Sequence, residues 1–368
     1  MNNYKGENMI NLKKVGLTAL AGSLVAVSAT AGEISVTGSA NITYVTGKDA
    51  AAGKSLGTDK DVAFTGSGEL DNGWTFTVSS LLTDAMAISS SYTSLTMGSL
   101  GTVSFGQDTG GASYKYDEEV PQAYEQISDA IQTTANVVGN QNDSNMIVYN
   151  SPSFDLGGVS ASFDLEYSPQ ASSTSEAVND GGSVSSSDTF GSATGAGVTL
   201  SYDALKVGVY AAEIERVTPV ASGSDAVRDA FEGVWYAKYS FGPVSIGYSQ
   251  SYMDGGAAAA IESTTTAKSA GRAQAGIFTG EQMSIAFNVN ENLSISYTTA
   301  DETYDTQDHA ATAVTTDDDV TQKTDAIQIA YSMGAMSIKA YRMDSENPGW
   351  DDDAADMTET EIALGLSF

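Results

Sequence analysis

The chain has 368 residues, and its 47 acidic and 16 basic side chains, single His and absent Cys give a net charge of −31 at neutral pH. That acidity disfavours nucleic acid as a partner, and the lack of Cys excludes disulfides and thiolate metal sites. Beyond residue 31 no run of about 18 apolar residues occurs, so no membrane helix is available and any membrane insertion requires a closed barrel.

In chain order, Lys13 and Lys14 precede an apolar run from Val15 to Val27, and Ala29-Thr30-Ala31 offers a small-residue cleavage site before Gly32. Residues 1–31 therefore read as a secretory signal peptide, with Met9 a candidate start. An N-terminal membrane anchor is the competing reading, but the run is short and interrupted by Thr18, Gly22 and Ser23. Cleavage leaves 13 basic and 46 acidic side chains, net −33, on residues 32–368. No linker divides this remainder, which is expected to form one domain.

Period-two alternation then recurs in segments of about ten residues, the length that a tilted membrane strand needs. The first sets Ile34, Val36, Gly38, Ala40, Ile42 and Tyr44 against Ser35, Thr37, Ser39, Asn41 and Thr43. Next, Val62, Phe64 and Leu70 oppose Thr65, Ser67 and Glu69, and Asp71-Asn72-Gly73 leads into a return strand bearing Trp74, Phe76 and Val78. Asn-Gly between alternating runs signals a tight hairpin, because both central residues can take positive φ. Further pairs are Ser89–Met97 with Thr102–Gln107, Ser144–Ser151 with Val159–Ser168 across a turn opened by Pro152, and Ala196–Tyr202 with Leu205–Ala212. Then follow Glu232–Ser240 with Val244–Tyr252, Gly271–Asn288 with Leu293–Thr299, Thr324–Ser332 with Met336–Met343, and finally Met357–Phe368.

These are sixteen strands, and the expected fold is an all-β, 16-stranded antiparallel transmembrane β-barrel. An even number puts both termini on one side and lets the first and last strands pair, which removes the sheet edges. Connections alternate between short turns and long loops, as periplasmic turns and external loops do in such barrels. A soluble sandwich is the alternative for many alternating strands, but it does not account for that alternation. Tyr44, Trp74, Tyr92, Tyr167, Tyr202, Trp235, Tyr239, Tyr248, Tyr297 and Tyr331 lie near strand ends, where interfacial girdles belong.

The C-terminal strand places Ile362, Leu364, Leu366 and Phe368 on one face and Glu361, Ala363, Gly365 and Ser367 on the other. It resembles the last strand of bacterial outer-membrane barrels, which in that family the barrel assembly machinery reads. Met97-Gly98-Ser99-Leu100-Gly101-Thr102-Val103-Ser104-Phe105-Gly106-Gln107-Asp108 resembles the fourth turn and fifth strand of Gram-negative general diffusion porins, particularly the alphaproteobacterial type. Asn145-Met146-Ile147-Val148-Tyr149-Asn150-Ser151-Pro152 resembles their sixth strand. Gln107 departs from the Arg that many family members carry there.

The resemblance implies a homotrimer in outer-membrane lipid that passes small hydrophilic solutes and ions, with a third loop, about residues 108–143, folded inward as the pore constriction. Asp108, Asp117, Glu118, Glu119, Glu125 and Asp129 are its candidate constriction residues, with Lys115 the only basic counterweight. Pro121 followed by Tyr124, Ile127 and Ile131 at helical spacing predicts a short helix over Pro121–Thr133, packed on the inner wall. A solvated external loop is the alternative for such an acidic run.

Lys206, Lys238, Arg272 and Lys339 fall on the polar faces of their strands and are candidates for the opposing lumen wall. On the lipid face near the midplane each would cost about 2–4 kcal/mol. So few basic residues predict a cation-preferring pore for passive diffusion. A substrate-specific outer-membrane channel is the nearest alternative reading, and a barrel enzyme or adhesin a more distant one.

No cofactor is required, but Asp317, Asp318 and Asp319 in one loop and Asp351, Asp352 and Asp353 in another are candidates for sharing Ca²⁺ or Mg²⁺ at low affinity. Solvated repulsive loops are the alternative for them too. His309 stands near Asp308 in an acidic loop, and no G-x-S-x-G, H-E-x-x-H or Gly-rich phosphate motif accompanies it, so nothing points to catalysis.

Overall fold

The computed structural model describes residues 32–48, 55–84, 87–107, 111–117, 119–127, 146–171, 190–216, 228–256, 276–305 and 319–368. Residues 1–31, expected to be a signal peptide, lie outside them. Sixteen strands close on themselves: β1 (Glu33–Lys48), β2 (Ser55–Glu69), β3 (Thr75–Leu82), β4 (Ile88–Thr96), β5 (Thr102–Gln107), β6 (Met146–Asn150), β7 (Ser160–Ser168) and β8 (Phe190–Tyr202). The second half comprises β9 (Leu205–Arg216), β10 (Ala230–Phe241), β11 (Val244–Asp254), β12 (Ile277–Asn288), β13 (Leu293–Asp305), β14 (Val320–Met333), β15 (Met336–Glu346) and β16 (Met357–Ser367). A two-residue piece, Phe154–Asp155, continues β6 and pairs with β7. Each strand pairs antiparallel with its neighbour in the chain, and β1 also pairs with β16, from Ser39↔Ser367 to Lys48↔Thr358. The barrel thus has no free edge.

Closure is completed by the last residue. Gly38 N donates to Phe368 O at 2.9 Å, and Phe368 N donates to Gly38 O at 3.0 Å. Only a glycine fits at position 38, because a Cβ there would overlap the Phe368 ring.

Alternation sorts the residues as anticipated. Ile34, Ile42, Phe64, Val78, Phe105, Ile147, Leu165, Val209, Ile285, Ile295, Ile329, Ile338, Ile362 and Leu366 are exposed on the outside. A large apolar surface facing outward suits hydrocarbon rather than water. The opposite parity carries Asp61, Asp164, Glu166, Glu232, Gln282, Thr298, Gln322, Gln328 and Glu359. The inner face is therefore polar, and apolar packing inside is confined to a few clusters beneath loops. Tyr44, Tyr167, Tyr202, Trp235, Tyr239, Tyr297 and Tyr331 are exposed on the outside. Tyr92, in contrast, shares a cross-strand row with inward Ser79 and Gly106 and belongs to the inner face.

Three local expectations are corrected. In Asp71-Asn72-Gly73 only Gly73 takes positive φ (80°); Asn72 instead accepts a hydrogen bond from Trp74 N on its side-chain oxygen (3.1 Å). Pro152 does not open the turn after β6. It interrupts the strand, where its missing N–H cannot join the ladder, and the turn lies at residues 156–159, closed by Leu156 N donating to Val159 O (2.8 Å). The third correction, the absence of a helix at Pro121, concerns the third loop.

Candidate pore constriction

The chain between β5 and β6 contributes two described stretches, 111–117 and 119–127, and both lie on the inner wall. In the first, a single 3-10 turn at Ser113–Lys115 turns Tyr116 into the wall. Tyr116 Oη donates to Asp164 Oδ2 (2.8 Å), Lys115 Nζ reaches Asp164 Oδ1 (2.5 Å), and Ala112 N donates to Glu166 Oε2 (2.8 Å). The Tyr116 ring stacks on Tyr210 (5.5 Å between centroids) and lies over Gly197, where any Cβ would overlap it. Asp164 and Glu166 also take Asn150 Nδ2 (2.6 Å) and the Tyr210 hydroxyl. These two carboxylates of β7 therefore serve as the loop's first anchor, on strand positions opposite in parity to the outward Leu165 and Tyr167.

The second stretch runs across the next strands in order. Val120 and Pro121 rest on Gly247 of β11, whose missing side chain makes the room. Pro121 O accepts from Ser284 Oγ of β12. Ala123 N donates to Ser296 Oγ of β13 (2.9 Å). Tyr124 N donates to Gln328 Oε1 of β14 (2.8 Å), and Gln328 Nε2 returns a bond to Glu125 O (2.6 Å). Tyr124 Oη donates to Glu361 Oε1 of β16 (2.5 Å), its ring 5.8 Å from that of Tyr341. Ile127 is fully buried with Ala300, Ala326, Tyr341 and Met343.

This replaces the expected helix. Residues 121–127 are extended or bent, not helical. Four of their backbone groups, Pro121 O, Ala123 N, Tyr124 N and Glu125 O, are taken by wall side chains instead of an i→i+4 ladder. The rest of the predicted helix, 128–133, lies outside the described residues. Burial and the neighbouring carboxylates Glu125 and Glu361 push the Tyr124 hydroxyl above its usual range, so it remains a donor.

Of the acidic constriction candidates, Asp117, Glu119 and Glu125 are in this wall-bound segment, whereas Asp108, Glu118 and Asp129 lie outside the described residues. The basic candidates are not across an opening from the loop. Lys238 Nζ forms an ion pair with Glu119 Oε2, Lys206 Nζ lies 3.7 Å from the same oxygen, and both ammonium groups sit 5.6 Å from the Tyr236 ring centre. Lys339 Nζ is 4.8 Å from the centre of the Tyr124 ring, within the field of Glu125 and Glu361. These three lysines lie beneath the loop, two of them sharing the one carboxylate of Glu119; inward parity revealed their side of the wall but not what covers it. Arg272 lies outside the described residues.

The described stretches of the loop thus follow β7 to β16, and none of these contacts falls on β1–β6. Inward positions there are Ser35, Thr37, Ser39, Asn41, Asp59, Asp61, Thr65, Ser67, Thr77 and Ser79, by their pairing across the ladders. Among the described residues no Lys or Arg occupies an inward position on those six strands. Lys60 is on the outer face, 3.8 Å from Asp84.

No group of three or more His, Cys, Asp or Glu side chains among the described residues is placed to hold a metal ion. Asp319, Asp351, Asp352 and Asp353 are described and belong to no such group. Asp317, Asp318 and His309 lie outside the described residues.

Comparison with known proteins agrees with this architecture. The anion-selective porin of Comamonas acidovorans is similar with a TM-score of 0.62 at 16% identity, covering 92% of this chain and all of that one. The OmpF porin of Salmonella typhi in complex with daunomycin is similar with a TM-score of 0.66 at 12% identity, over 92% and 98% of the two chains. The outer-membrane channel DcaP of Acinetobacter baumannii gives 0.59 at 11% identity, over 94% and 100%. At these identities the likeness is one of fold. No curated protein sequence matches. The sequence profile of the Gram-negative porin family matches residues 16–367, so this chain belongs to that family and is an outer-membrane β-barrel channel, not an enzyme.

Proposed function

We propose that the chain, after loss of residues 1–31 as a signal peptide, assembles as a homotrimer of pores that pass small hydrophilic solutes by diffusion with a preference for cations. The observation that carries the charge preference is the pairing of Lys206 and Lys238 with Glu119. With those ammonium groups engaged by the loop, the inner face of β1–β6 offers permeant ions hydroxyls and the part-exposed Asp59, and no inward Lys or Arg among the described residues. Carboxylates beside water raise local cation concentration, within a reach of about 8 Å at physiological salt. Divalent ions would then be attracted diffusely by the acidic loops rather than held at a fixed site.

The test is the reversal potential of the purified protein in a planar bilayer under a KCl gradient. The expected sign is that of K⁺ permeating faster than Cl⁻, with the preference shrinking as total salt rises. A reversal potential of the opposite sign overturns the proposal.

A further inference from the structure

The loop between β15 and β16, residues 347–356, does not stand out from the barrel. Pro348, Gly349 and Trp350 are buried, Trp350 to 1% exposure, whereas Asp352, Asp353 and Asp356 on the same loop are exposed. The indole packs edge-on against Phe278 of β12 (4.9 Å between centroids, 69°) within a cluster of Met253, Phe278, Tyr304 and Val320. Its Nε1 donates to Glu302 O of β13 (3.1 Å). Gly349 N donates to Gln322 Oε1 of β14 (2.6 Å), and Asn347 Nδ2 donates to Thr321 O (2.9 Å). Strands β15 and β12 are three ladder steps apart, so the indole is seated about 14 Å from the loop's own root.

All four apolar partners lie within two residues of the loop end of their strands, which places the cluster at the mouth from which the long loops emerge. The chain adopts an unusual backbone to get there. Asn347 and Trp350 both have positive φ (50° and 53°), with Gly349 at 74° between them. Such values are rare for a residue as bulky as Trp and persist where the surroundings hold them.

We infer that this loop is a second, outer constriction, in which Trp350 is the positioning residue that seats it on the inner wall at the mouth, ahead of the third loop. The inference rests on the channel reading for its consequence, but the seating of the loop can be tested separately.

In planar bilayers, Trp350→Ala in the full mature protein is expected to raise single-channel conductance towards that of a variant lacking residues 348–353. Unchanged conductance in the Trp350 variant overturns the inference.

Digestion of the folded barrel with an endoproteinase that cuts before Asp provides the arm that needs no conduction. The native loop should resist at Asp351–Asp353 and the Trp350→Ala loop should be cut. Equal cutting of both overturns the inference even if the protein conducts nothing, the result that would instead overturn the channel reading.

Discussion

Glu119 faces two ammonium groups, Lys238 in direct contact and Lys206 at 3.7 Å, while its own side chain is largely shielded from solvent. The local charge of this trio is +1, and replacing Glu119 with Gln makes it +2 without a change in shape. An ion about 7 Å from an added unit charge in a water-like dielectric changes in energy by about 0.6 kcal/mol, a factor of about three in population. The cation's population falls and the anion's rises by that factor, so Glu119→Gln is expected to lower the cation-to-anion permeability ratio by roughly sevenfold at low salt, read from the reversal potential, and the change should fade in high salt. The same substitution at Glu213, an outward position on β9 by its parity with exposed Val209, should leave the ratio where it was.

Among the elements, strands were legible and the path of the third loop was not, for one physical reason. A barrel strand meets two solvents, so each residue's face is dictated by its immediate neighbours, and the run Ile362 to Phe368 can be read without any partner. The loop's conformation is set by groups far away in the chain. Tyr124 is held by Gln328 and Glu361, 204 and 237 residues on, and Pro121 by Ser284, 163 residues on. The spacing of Tyr124, Ile127 and Ile131 suggested a helix because nothing local revealed that the barrel wall would claim those backbone groups. Trp350 was equally hidden, beside three consecutive Asp residues that mark a solvated loop.

The anchor formed by Tyr124 has a definite pH limit. Its hydroxyl is shifted upward by burial first and by the neighbouring carboxylates next, whereas in the unfolded chain it titrates near 10. The contribution to holding the loop is thus fully present below about pH 10 and is lost as pH rises through the folded value. Exchange protection of the 119–127 backbone is expected to be flat from neutrality to about pH 10 once corrected for intrinsic rates, then to fall. Tyr124→Phe, which cannot bond Glu361, should show lower protection at every pH and no such fall.

At the scale of the whole molecule the wall is uneven in height. At about 3.4 Å per residue and a tilt of about 40°, the eight residues of β3 rise about 21 Å, against about 36 Å for the fourteen of β14. An apolar band of about 25 Å leaves the low side short, and there the outer face carries Lys60 beside Asp84. A charged pair on a wall too low for the bilayer calls for protein cover, and a neighbouring protomer supplies it in the proposed trimer. Lys60→Glu would set two like charges together on each protomer's low side. That repulsion acts within each protomer and weighs on assembly through the solvent screening that a neighbour's cover removes; at about 1 kcal/mol per covered pair, the three of a trimer sum to about 3 kcal/mol, about a hundredfold in the assembly equilibrium. Trimers should then give way to folded monomers on a native gel, and bilayer recordings should show single closing steps in place of triplets; trimers of undiminished stability would remove Lys60 from the interface.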